Sequence, residues 1–145
     1  MRPVALFFLV ILAGWPSLSA ADPVTPPRGS ALRAELLDTV RVMAEYDLGA
    51  PVEFVVTELH AEGDRAFGRL MAQRPGGPQI DMAATPIVMR RGVSVDMIDG
   101  LRIEVFFHRV GERWYLYEYG LGSTDVWWWG FECQHYGAFL RDWGC

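Results

Sequence analysis

The chain has 145 residues, with 18 acidic side chains against 13 basic ones and a formal net charge of −5. An acidic surface has no electrostatic reason to seek nucleic acid or anionic lipid, which argues against both as partners. Every basic residue is arginine and asparagine is absent, so the chain carries no N-glycosylation sequon.

Met1-Arg2-Pro3 is a short basic start, Val4 to Ala13 is an unbroken apolar run, and Ser17-Leu18-Ser19-Ala20-Ala21 supplies small residues. That order predicts a secretory signal peptide over residues 1–21, cleaved after Ala21 or Ala20, and hence an exported, periplasmic protein. As a helix, Val4 to Trp15 would rise only about 18 Å against roughly 30 Å of hydrocarbon, so no stable membrane anchor is expected. Residues 22–29, with Pro23, Pro26 and Pro27, read as a flexible leader. The remaining residues, 30–145, are enough for one core and predict a single domain.

Ser30 is the natural N-cap of a helix running to about Asp47, with Leu32, Leu36, Val40 and Met43 as its apolar stripe and Leu37 and Ala44 widening it. Gly49 and Pro51 stop it. Val52–Ala61 and Arg65–Gln73 predict a hairpin around Gly63-Asp64, a register that sets Glu62 opposite Arg65 and Glu58 opposite Arg69. Gln79 to Gly100 lacks periodicity and reads as a loop with at most a short helical turn. Asp81 and Asp99 flank it and could serve as loop carboxylates in a site, but loops also hold aspartates for turn reasons alone.

Leu101–Val110 and Arg113–Leu121 predict a second hairpin, with Gly111 leading a type II′ turn. An uninterrupted register pairs His108 with Tyr115, Phe106 with Tyr117 and Glu104 with Tyr119 on one aromatic face. Ile103, Val105, Phe107, Trp114 and Leu116 then lie on the aliphatic face that packs under the helix. The expected fold class is α+β: one long N-terminal helix packed on a curved four-stranded antiparallel sheet, with an aromatic C-terminal flap. At the level of fold analogy this looks like the cystatin-like and NTF2-like superfolds.

The flap begins with Trp127-Trp128-Trp129, of which two rings are expected to close the core and the third to mark an interaction site. Phe131 to Trp143 has room for a short helix weakened by Gly137. The chain's two cysteines, Cys133 and Cys145, are expected to form a disulfide in an oxidising compartment. A continuous helix would hold their Cα atoms about 18 Å apart, so the chain must turn back after Arg141, where Gly144 can bend it. The competing arrangements are an intermolecular bridge, a free thiol, or zinc held with His135.

The residues Phe54-Val55-Val56, Gly63-Asp64-Arg65-Ala66-Phe67, Arg74-Pro75-Gly76-Gly77 with Ile80-Asp81, and Gly120-Leu121-Gly122-Ser123-Thr124-Asp125-Val126 carry a resemblance. Trp129 and Tyr136-Gly137-Ala138 continue it. On them the chain resembles a group of uncharacterised small exported proteobacterial proteins, which often have tryptophan where this chain has Arg65. The resemblance implies export and a shared small fold, and it assigns no catalytic residue.

The candidate ligand-binding face comprises Glu104, His108, Tyr115, Tyr117 and Tyr119, with Trp128 beside it. Phenols with a carboxylate and an imidazole suit an apolar or sugar-like ligand, although tyrosines on strands are also simply good sheet formers. Glu104 and His108 stand about 13 Å apart along a strand, too far for a direct dyad. Ser123 lacks a nucleophile elbow, and Gly120-Leu121-Gly122 is half of a dinucleotide fingerprint. No catalytic residue, cofactor or metal is therefore expected. The leading expectation is a non-catalytic envelope protein that binds a small ligand or a protein partner. The alternatives are an NTF2-like acid–base enzyme and an inhibitor of an exported hydrolase acting through Arg74–Gln79.

Overall fold

A computed structural model describes residues 22–130 and 132–145. The expected signal peptide, and Phe131 in the flap, lie outside the described residues. Helix α1 spans Ala31–Leu48, and Ser30 caps it by accepting a hydrogen bond from the Arg33 backbone N–H at 3.2 Å. Its buried stripe is Leu36, Val40, Ala44 and Leu48, with Leu32 and Leu37 half-buried beside it. Met43, expected in that stripe, is exposed. A straight four-residue step keeps the contact line on Ala44 instead, one position round the helix. Each large aliphatic side chain buried here contributes on the order of 1.5–3 kcal/mol.

Strands β1 (Glu53–Glu62), β2 (Arg65–Gln73), β3 (Arg102–Val110) and β4 (Arg113–Leu121) form one open antiparallel sheet in chain order. Both hairpins turn on glycine in the left-handed region, Gly63 at φ +58° and Gly111 at φ +61°. Among the described residues no non-glycine residue takes positive φ, in keeping with glycine leading each turn as type II′ geometry requires. Glu62 faces Arg65 and Glu58 faces Arg69, with a bulge at Thr57 between Val56 and Glu58. The second of these pairs closes into an ion pair of 2.8 Å.

The segment between the hairpins holds short helical pieces at Met82–Ala84, Pro86–Met89 (α2) and Val95–Met97. Asp81 caps the first by accepting from the Ala83 N–H, the turn role expected of it. The proline-rich stretch read as a flexible leader is docked at the edge of β1. Val24 exchanges backbone hydrogen bonds of 2.9 Å with Ala61, Pro26 is buried, and the Pro26 carbonyl accepts from Arg33. Proline tolerates an outer edge because no ladder donor is needed there.

The sheet is covered on both faces. On one, α1 packs over Leu59, Ala66, Leu70, Ile103, Val105, Phe107 and Trp114. On the other, Phe67 and Phe106 are covered by Trp128, Tyr136, Phe139 and Leu140 of the flap. The flap folds as Glu132–Tyr136 (α3) and tight turns at Gly137–Phe139 and Arg141–Trp143, bending back at Gly144. This brings the Cα atoms of Cys133 and Cys145 to 5.3 Å within an intramolecular disulfide. Both sulfurs are used in this bridge, the arrangement expected ahead of an intermolecular bridge, a free thiol or zinc with His135. Among the described residues no helix is long and apolar enough to cross a membrane.

Candidate functional site

The second hairpin departs from an uninterrupted register at one point, and that point decides the site. His108 faces Tyr115 and Phe107 faces Leu116, as expected. Beyond them β4 carries one extra residue, so Phe106 faces Glu118, Val105 faces Tyr119 and Glu104 faces Gly120. The expected pairs Phe106–Tyr117 and Glu104–Tyr119 do not form. A one-residue slip transfers every following side chain to the other side of the sheet.

Two gains accompany the bulge. Tyr119 turns to the α1 side, where it packs against the helix-covered core beside Asp47. Burial first, and the Asp47 charge second, raise its pKa well above the usual phenol value. Opposite Glu104, Gly120 leaves room for the Trp127 indole, whose Nε1 donates to Glu104 Oε2 at 3.2 Å. A Cβ at residue 120 would sit 2.5 Å from that nitrogen, which no real contact allows. Gly120→Ala is therefore expected to expel Trp127, shift tryptophan emission to the red and cost roughly 1–3 kcal/mol in urea unfolding.

The structure thus does not gather the expected ligand-binding residues on one surface. Glu104 is buried between Arg69 (Nε 3.5 Å) and Arg102 (Nε 3.3 Å), a structural network capped by Trp127. The Arg69 guanidinium also stacks 4.0 Å from the centre of the Trp143 ring, fastening the flap. His108 points to Asp64, Nε2 to Oδ2 3.2 Å, and Tyr115 beside it is exposed. Trp128 is a core residue at 1 % exposure, while Trp129 is the exposed ring of the three. Tyr117 stays on the flap side, its ring 5.8 Å from that of Tyr136. The Tyr136 hydroxyl donates to the Phe107 carbonyl at 3.0 Å.

What the bulge does assemble is a cleft of about 320 Å³ lined by Tyr117, Glu118, Trp127, Trp128 and Glu132. Glu118 is exposed, whereas Glu132 at the start of α3 is 4 % exposed and its Oε2 has no hydrogen-bond partner among the described residues. The Trp128 Nε1 is likewise buried without a partner. Buried polar atoms are normally paired, so two unpaired ones at one cleft are an unusual concentration. Burial first, then the Glu118 charge, raise the Glu132 pKa, with His135 opposing weakly. The site combines aromatic walls with two carboxyl groups, and a buried indole N–H without an acceptor among the described residues lies within its wall.

The sign of the Glu132 effect follows from linkage. The folded state holds this proton more tightly than the unfolded chain, so ionising Glu132 costs stability as pH rises through its raised value. Glu132→Gln is expected to stabilise the fold in mildly alkaline buffer. The gain should shrink toward zero below the ordinary glutamate value of 4.5. Urea titrations at both pH values check this, and an equal gain at both would trace it to packing instead.

Sequence reasoning missed Glu118 because a regular strand turns it toward α1, and missed Glu132 because it lies in the flap. A signal was present. Trp114 and Leu116 are apolar at even positions, Leu121 at an odd one, and a glycine interrupts the strand between them. Among the described residues no group of three or more His, Cys, Asp or Glu could hold a metal ion. Compared with known protein families, curated proteins and solved structures, the chain matches none of them.

Proposed function

We propose that this is an exported, non-catalytic envelope protein that binds a small ligand between β4 and the flap. The observation that carries the reading is the Tyr117–Glu118–Trp127–Trp128–Glu132 cleft, where buried polar atoms lack partners beside aromatic walls. Of the residues expected to bind, Tyr117 and Trp128 belong to this cleft. Export is supported by the leader pattern of residues 1–21 and by the Cys133–Cys145 disulfide, which belongs to oxidising compartments.

The test is purification from the periplasmic fraction followed by native mass spectrometry and N-terminal sequencing. The expected result is a chain starting at Ala21 or Asp22 that carries a bound mass, lost in Trp127→Ala. A chain still starting at Met1 overturns export, and ligand-free protein that binds nothing from a periplasmic extract overturns the binding role.

A second reading, inhibition of an exported hydrolase, draws on the loop after β2. Residues 75–79 are exposed, yet the loop is braced. Arg74 donates to the carbonyls of Leu48, Gly49 and Pro51, and Glu53 accepts from the Gly76 N–H. An exposed loop held in one shape is what such an inhibitor presents. Assays against periplasmic hydrolases, with Pro75→Gly as control, would detect it.

A further inference from the structure

Resting on the ligand-binding reading, we infer that the cleft's ligand is a small organic ammonium carrying a hydroxyl group. The walls and the charge point the same way. Among the described residues no arginine lines the cleft, and its only charged side chains are Glu118 and Glu132. An anion would meet two carboxylates without a counter-charge, in a protein that is itself negative. A neutral molecule would leave those carboxylates facing each other across a partly desolvated space. An ammonium answers both. Placed between Glu118 and Glu132, it supplies the positive charge that the buried Glu132 oxygen lacks.

The aromatic residues favour the same class. Tyr117 and Trp127 line the cleft, and the negative π-faces of such rings are the usual environment in which proteins hold alkylammonium cations. Trp128 is independent of the acidic pair. Its Nε1–H is a donor with no acceptor, in a ring 1 % exposed at the cleft wall. Where the wall parts to admit it, a hydroxyl oxygen close to the ammonium group completes that bond, since an indole N–H can only donate. A bare tetraalkylammonium would leave it unpaired.

The test uses the mature protein with its disulfide intact. Choline is the probe, its uncharged carbon isostere 3,3-dimethylbutan-1-ol the matched control, and glucose the neutral sugar. Binding is read by tryptophan emission and calorimetry. Choline is expected to bind roughly tenfold or more tighter than the isostere. That advantage should fall in added salt and be lost in Glu118→Gln, an exposed position whose variant should fold normally. Glu132→Gln should also reduce choline binding while leaving near-ultraviolet dichroism unchanged. If the isostere or glucose binds as tightly as choline, or Glu118→Gln retains choline affinity, the ammonium assignment is overturned and the cleft remains a ligand site. If none of the three binds, the ammonium assignment is overturned, and if the periplasmic protein also carries no mass the binding role falls with it.

Discussion

Replacing Trp128 by alanine is expected to lower the unfolding free energy by about 3–5 kcal/mol, the largest effect of any single tryptophan in the flap. The indole is 1 % exposed and meets Phe106 edge-on at 6.5 Å within a cluster completed by Phe67, Tyr136, Phe139 and Leu140. Truncation removes the ring from between the sheet and the flap, where neither surface can collapse inward without moving a strand or straining the closed loop. Trp129 is the internal control. It is 63 % exposed, so Trp129→Ala should change stability by no more than about 0.5 kcal/mol. Urea unfolding followed by far-ultraviolet dichroism measures both. Equal costs for the two variants would mean that the flap does not close the core.

Opening the disulfide should cost about 3 kcal/mol, by reduction or by the paired substitution of Cys133 and Cys145 with serine. The bridge closes a short loop of sequence separation 12, and within it lie Tyr136, Phe139 and Leu140. The apolar layer on this face is therefore held by a covalent ring as well as by packing. The α1 layer contains none of these residues. Reduced protein is expected to keep its helical dichroism while its near-ultraviolet aromatic signal weakens. The two effects should also couple, with Trp128→Ala costing less in reduced protein than in oxidised protein. Strict additivity would show that the ring and the indole act on separate parts of the molecule.

Much of this architecture is legible in the residues because local signals agree with one another. Ser30 and Gly49 bound a helix of the right period, and Gly63 and Gly111 fix two turns from which the early strand pairs follow. The Glu58–Arg69 ion pair follows from the first register, and the disulfide from the cysteine spacing. The candidate site was not legible, because it depends on a break in the period that reads the strands. Alternation assigns Tyr119 to the aromatic face and Glu118 to the helix face, whereas the inserted residue on β4 exchanges them. The energetic reason is non-local. Tyr119 finds its place beside Asp47, over 70 positions earlier in the chain, and Gly120 admits an indole that arrives only when the flap folds back. The docked Pro-rich segment escaped for a similar reason, since its partner is the outer edge of β1.

The same irregularity has a consequence for how molecules of this protein meet. β4 is an outer strand, and a regular outer strand invites a second copy to extend the sheet by backbone pairing. An interruption midway along it denies any incoming chain a straight template longer than about half the strand. What bends the strand to build a cleft thus also discourages the oldest route to aggregation open to a β-protein.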